Sequence, residues 1–221
     1  MKRCSDELMN CNFKSWLKNY IVSNRVCENR IFYCEHLELN RQTLRDVDNF
    51  KPAHKNGIGL VNYLQGQAFH DNSYNVQKIY IVRDKETDEL VAYFGLRTGL
   101  ISTNEQDILV NGEKVALFDV ISGIELAEFA VNGVYLENHK ERKGCGEIIF
   151  INFVLPIARK VTEYVGAEII YGFSVDTNGR LLEKYLTDYS FKRLDPASEK
   201  KLEKRLRSRF DKGCTFIYQR L

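Results

Sequence analysis

The chain has 221 residues, 44% of them apolar, enough for a full core in one large domain or in one domain with an extension. Its formal net charge of +2 is close to balance, so bulk charge points to neither nucleic acid nor a membrane surface. No apolar run approaches the ~20 residues of a membrane span, and Met1-Lys2-Arg3-Cys4-Ser5-Asp6-Glu7 leads into no apolar stretch of the kind a signal peptide needs.

Ser5 is placed to cap a helix, after which Met9, Phe13, Trp16 and Tyr20 form one helical stripe. Residues 1–30 therefore read as an N-terminal helical extension of a main domain over 31–221. Cys4 and Cys11, then Cys27 and Cys34, make two equally spaced pairs with six residues between partners. Zinc sites use gaps of about two to four, so reduced thiols, a cytoplasmic location and no metal are expected.

A strand is predicted over Ile31–Leu39. A loop with Pro52 and Gly57-x-Gly59 leads to a helix whose apolar stripe is Val61, Leu64 and Ala68. Lys78–Arg83 and Leu90–Thr98 alternate on either side of a polar turn and read as a hairpin. Asn111-Gly112 marks a further turn, so Leu100–Ser122 is either a small hairpin or a long loop. Ile124–Val131 reads as a central strand interrupted by Glu125 and Glu128. A carboxylate in a buried strand is costly unless it is paired or used.

Glu141-Arg142-Lys143-Gly144-Cys145-Gly146-Glu147 follows, and a long helix begins near Glu147. Two glycines two apart allow a tight turn and leave no Cβ against an approaching anion. The helix start adds unpaired N–H groups and its positive dipole end, and Arg142 and Lys143 add full charges. Together these make a phosphate cradle. It lacks both the Gly-Lys-Ser/Thr end of a Walker loop and the third glycine of a dinucleotide fingerprint. The helix carries Ile148, Ile151, Leu155, Ala158 and Val161 on one face, with a kink expected at Pro156. Then come a strand over Glu168–Val175, a short helix through Tyr185 capped from Asp176-Thr177-Asn178, and a brief strand at Phe191–Leu194. A helix opened by Asp195-Pro196 and a last strand over Cys214–Leu221 complete the order.

That order, with three motifs, resembles the GNAT superfamily of acetyl-CoA-dependent N-acetyltransferases. Glu128-Phe129-Ala130-Val131-Asn132 looks like the end of the family's fourth strand. Arg142-Lys143-Gly144-Cys145-Gly146 looks like its pyrophosphate loop, although Glu141 stands where Arg or Gln is usual. Asn178-Gly179-Arg180-Leu181-Leu182-Glu183-Lys184-Tyr185, with Ser190-Phe191 beyond, is similar to its asparagine, helix, tyrosine and phenylalanine, one residue longer than the common pattern. The resemblance implies an α/β (α+β mixed) fold. Its central, mostly antiparallel sheet is splayed between the fourth and fifth strands and flanked by helices.

It also implies a site. Backbone at Phe129, Ala130 and Val131 would hold the pantetheine arm of acetyl-CoA. Arg142, Lys143, Gly144, Cys145, Gly146 and Glu147 would hold the pyrophosphate, with Asn178 nearby. Direct attack by a primary amine needs a base, first Glu125 and second Glu128, and an acid for the departing thiolate. Tyr185 is that acid, with Tyr189 as competitor because of the added residue. Cys145, though at a helix start, is not needed as a nucleophile.

Val61-Asn62-Tyr63-Leu64, Ala68, Ile79–Val82 and Tyr93–Gly99 further resemble toxin-type members, which acetylate the amino acid on charged tRNA and are held by an antitoxin protein. Lys201, Arg205 and Arg209 repeat at four beside Leu202, Leu206 and Phe210, and this basic stripe suits a tRNA backbone. A homodimer is compatible with the resemblance, and so is a different class of function: a non-catalytic acyl-CoA sensor or partner-binding module on the same fold.

Overall fold

The computed structural model describes residues 24–175, 179–205 and 214–221. Seven strands form one sheet in chain order: β1 (Arg25–Glu28), β2 (Phe32–His36), β3 (Lys78–Asp84), β4 (Leu90–Val110), β5 (Glu113–Val131), β6 (Ile169–Val175) and β7 (Cys214–Arg220). Neighbours are antiparallel except β5 and β6, which run parallel. A parallel step needs a crossover, and a long helical segment supplies it.

Between β2 and β3 lie α1 (Arg41–Asp48), α2 (Ile58–Gly66) and α3 (Ala68–Ser73). Between β5 and β6 lie α4 (Gly133–Asn138), α5 (Cys145–Ile149) and α6 (Leu155–Thr162). Between β6 and β7 lie α7 (Arg180–Thr187) and α8 (Pro196–Arg205). Successive residues of a strand face opposite sides of a sheet. Phe94 accordingly joins Phe32, Ile149 and Phe153 in one core, while Tyr93 joins Leu37, Val47, Leu64 and Ile81 in another. The expected α/β architecture, a mostly antiparallel sheet flanked by helices, is what the chain adopts.

Several local expectations change. Helix α1 was not foreseen; Asn40 caps it, its Oδ1 accepting from the Thr43 N–H at 2.8 Å. Asn111 and Gly112 have φ of 54° and 85°, the left-handed pair a two-residue hairpin turn requires. Leu100–Ser122 is thus neither a small hairpin nor a loop. It continues β4 and β5, 21 and 19 residues long, into a ribbon that outruns its neighbours.

The crossover helix contains a π turn at Phe150–Val154, just before Pro156. The wider turn gives the proline ring room against the carbonyls behind it. It also rotates the buried face. Ile149, Phe150, Phe153, Val154, Ile157 and Ala158 point inward, whereas Ile148 and Ile151 of the expected stripe are exposed. Phe191–Leu194 is not a strand but a single bridge between Lys192 and Tyr218. Asp195 does cap α8, accepting from the N–H groups of Ala197 and Ser198 at 3.0 Å each. The stripe from Met9 to Tyr20, the cap triplet through Asn178, and Leu206, Arg209 and Phe210 lie outside the described residues. Strand β1 falls within the segment expected to be a helical extension and belongs to the sheet.

Candidate active site

Strands β5 and β6 pair only from Gly123 to Leu126, against Ile169 to Gly172. Beyond that point Glu128–Val131 stays paired to β4 and Phe173–Val175 to β7, and the two strands separate. The mouth of this splay coincides with a bulge. Glu128 faces Gly95 and Leu126 faces Leu96, leaving Ala127 unmatched. Residues three apart on a regular strand point to opposite faces; the extra residue brings Glu125 and Glu128 onto the same one.

The two carboxylates differ in environment. Glu125 receives the Arg97 guanidinium in a two-pronged ion pair, with Nε to Oε2 at 2.9 Å, and accepts from the Tyr171 hydroxyl at 3.2 Å. Glu128 has no cation at contact distance among the described residues. Gln77 Nε2 donates to its Oε2 at 2.6 Å and also contacts the Tyr63 hydroxyl, which donates to Asp71 at 3.1 Å. Burial pushes the Glu128 pKa up to about 7, against the opposing pull of the Gln77 hydrogen bond and the Arg97 charge. Gly95 makes the room: a Cβ there would stand 2.4 Å from Glu128 Oε2. The two expected bases thus differ: Glu125 is paired with Arg97, whereas Glu128 is buried with its pKa raised.

On the other side of the cleft, Gly144 has φ of 87° and caps α5 without a side chain. A side chain at Gly146 would fill the cradle, its Cβ meeting Val131 Cγ2 at 3.4 Å, the Tyr189 hydroxyl at 3.8 Å and Phe129 Cζ at 4.0 Å. Arg142 Nε is a buried donor without a hydrogen-bond partner among the described residues, with the Glu141 carboxylate 4.0 Å away. Lys143 is exposed. Two of the expected N–H donors are already engaged: Lys143 N–H bonds to the Lys140 carbonyl and Glu147 N–H to the Gly144 carbonyl. The Glu147 side chain instead lies 3.9 Å from Lys184 Nζ, tying the loop to α7. Cys145 is buried and its thiol is pushed up to about 11 mainly by that burial, which argues against a nucleophilic thiolate.

Tyr185 and Tyr189 meet edge to face, ring centres 5.2 Å apart, and Tyr189 stacks on Phe150. Both are buried, and burial raises both phenols above their ordinary range. The Tyr189 hydroxyl is the one seen beside Gly146 and Phe129. Gln77, Tyr63, Gly95 and Arg97 were not legible as site residues. Each gains its surroundings from a partner distant in sequence; Tyr63, Gly95 and Arg97 lie in the stretches with the toxin-type likeness, but that likeness gave them no role.

A mostly antiparallel sheet splayed at its parallel pair, with a glycine turn opening the crossover helix, is the GNAT fold. Solved structures with a similar fold include several described as toxins. A tyrosine-to-phenylalanine mutant of KacT matches with a TM-score of 0.57 and 12% identity, over 86% of this chain and 95% of that one. A corresponding mutant of the toxin AtaT matches at 0.55 and 13%, over 86% and 89%. AtaT complexed with acetyl-methionyl-tRNAfMet matches at 0.54 and 12%, over 84% and 93%. No protein-family model matches the chain, and no curated protein matches it by sequence.

Proposed function

We propose that the protein is an N-acetyltransferase that moves acetyl from acetyl-CoA to a primary amine by direct attack. The observation that carries this is the placement of Glu128, a carboxylate titrating near neutrality, at the mouth of the splay opened by the Ala127 bulge. A chain of AtaTR bound with AcCoA has a similar fold, at a TM-score of 0.54 and 12% identity, which supports the same donor here. Bound acetyl-CoA supplies an activated acetyl thioester.

The chain's residues divide the remaining work. Backbone from Phe129 to Val131, unpaired toward β6, orients the pantetheine arm as an added strand. Gly144, Cys145 and Gly146 cradle the pyrophosphate, with Arg142 Nε as a donor beside them. Glu128 takes the ammonium proton from the acceptor. Tyr185 returns a proton to the leaving sulfur, with Tyr189 the competitor for that role. The Arg97 charge pulls the Glu128 pKa down, opposing the upward push of the neighbouring Glu125.

The proton affinity of Glu128 bears on the acceptor. An α-amine, near pKa ~8, lies about one unit above it, whereas a lysine lies about three above. This favours the α-amine of an aminoacyl-tRNA over a protein lysine. AtaT complexed with acetyl-methionyl-tRNAfMet supports the same acceptor class. In α8, Leu202 is buried while Lys200 and Lys201 are exposed, and Glu199 is drawn under the surface by Arg193 at 2.7 Å, leaving the basic stripe for a phosphate backbone. An antitoxin protein is the expected binding partner, as AtaT has in AtaR.

The test is to incubate the protein with labelled acetyl-CoA and a pool of charged tRNA, in parallel with a cell extract. Label in the aminoacyl group, lost when Lys201, Arg205 and Arg209 are reversed to glutamate and weakened steeply by salt, supports the reading. Label in protein or small amines alone keeps the transferase and removes the tRNA. No label in any pool, with acetyl-CoA still bound, would make the protein a sensor.

A further inference from the structure

Two thiols far from the glycine loop have no part in this chemistry. Cys27 on β1 and Cys34 on β2 are direct cross-strand partners. Opposed residues of an antiparallel pair share a face and hold their Cβ atoms ~4.5–5.5 Å apart, close to disulfide geometry. A side-chain hydrogen bond also links the two thiols. Cys34 is fully buried in the main core, while Cys27 is only half-buried at the sheet edge.

We propose that Cys27 and Cys34 form a redox pair that hydrogen peroxide converts to a cross-strand disulfide and a thiol reductant restores. The hydrogen bond from Cys34 favours the Cys27 thiolate, and Cys27 is also the member that solvent reaches. The Cys27 thiolate attacks one peroxide oxygen. An S–O bond forms, the O–O bond breaks, and the hydroxide released takes up the proton that Cys27 gave away. The Cys34 sulfur then attacks the sulfenic sulfur, the S–S bond forms, and the sulfenic oxygen leaves as water with the Cys34 proton. In sum, two thiols and one peroxide give one disulfide and two waters, and the sulfurs lose the two electrons that the peroxide gains.

The bond would staple a four-residue strand, paired among the described residues to β2 alone, onto the sheet. β1 also lies against the π turn of the crossover helix, whose first residues form the glycine cradle. Oxidation therefore fixes the sheet edge against the helix that carries the proposed cofactor loop.

The experiment treats the whole chain with hydrogen peroxide, blocks free thiols and maps peptides by mass spectrometry. A cross-linked pair of peptides holding Cys27 and Cys34, two hydrogens lighter than the free pair and separated by dithiothreitol, is the expected product. Slower amide exchange in Arg25–Glu28 should accompany it. In a Cys34→Ala variant the Cys27 sulfenic acid should persist and be trapped by dimedone. The inference is overturned if both thiols stay free, if Cys27 goes on to sulfinic acid while Cys34 remains a thiol, or if the cross-link joins either to a different cysteine. The wild-type map alone decides this, so a variant that fails to fold costs the test nothing.

Discussion

Gln77 Nε2 donates to Glu128 Oε2 at 2.6 Å, joining residues 51 positions apart across β4. Gln77 is buried, and the hydrogen bond stabilises the charged carboxylate against the burial that disfavours it. The strength of the proposed base is thus set by a neutral partner on the start of β3.

Replacing that partner should move the pH dependence of turnover. Wild-type kcat/KM should rise through an ionisation near 7, the value to which burial raises Glu128. In Gln77→Leu the carboxylate loses a donor, so the same limb should shift to higher pH. A pH–rate profile measured on both proteins checks this, and an unshifted limb would assign the ionisation to a different group.

Glu128 should also cost stability in one pH range only. Its folded pKa lies above the ordinary 4.5, so the folded state binds the proton more tightly than the unfolded chain. Stability is full below about 4.5, falls as pH rises toward about 7, and stays reduced above. Glu128→Gln should therefore abolish most turnover yet raise stability by up to ~3 kcal/mol at pH 8, with little change at pH 4. Urea unfolding at the two pH values measures the difference.

For the loop, Gly146→Glu is the sharpest test. The space a Cβ would enter is already bounded by Val131, Phe129 and the Tyr189 hydroxyl, and the substitution adds a negative charge where the pyrophosphate is proposed to lie. Acetyl-CoA affinity should fall by ~10²-fold or more, as expected for burying like charges together. Calorimetric titration showing wild-type affinity would remove the pyrophosphate from this loop.

The two tyrosines can be separated by kinetics. Tyr185→Phe should lower kcat by ~10²-fold with KM for acetyl-CoA nearly kept, the signature of a lost general acid. Tyr189→Phe, which removes the hydroxyl beside Gly146, should act mainly on acetyl-CoA binding. The reverse pattern would exchange their roles.

What the sequence could show here followed the range of the interactions. The Gly144-x-Gly146 turn, the Asp195 cap and the Asn111-Gly112 turn each rest on neighbours in the chain, and each was readable. The bulge at Ala127 was not, because it depends on which residue of β4 lies opposite. The likeness to other acetyltransferases put Glu125 first and Glu128 second, and only the bulge shows that both lie on one face. Arg97 and Gln77 give the two carboxylates their different surroundings, and both reach them from positions distant in the chain. The buried face of the crossover helix was displaced for a similar reason. A regular period was assumed through Phe150–Val154, where the wider π turn carries the stripe round to Ile149 and Phe153.

The ribbon of β4 and β5 has a kinetic consequence. At its tip, Val110 and Glu113 pair across two residues, and each further pair adds little loop to close. A hairpin of this kind forms within about 1–10 μs, whereas the parallel contact of Gly123 with Ile169 must wait for the whole crossover. Zippering inward from the tip carries Glu125 and Glu128 to their places opposite Arg97 and Gly95. One wall of the cleft, carboxylates included, is thus assembled during folding before the strand that forms the other wall arrives.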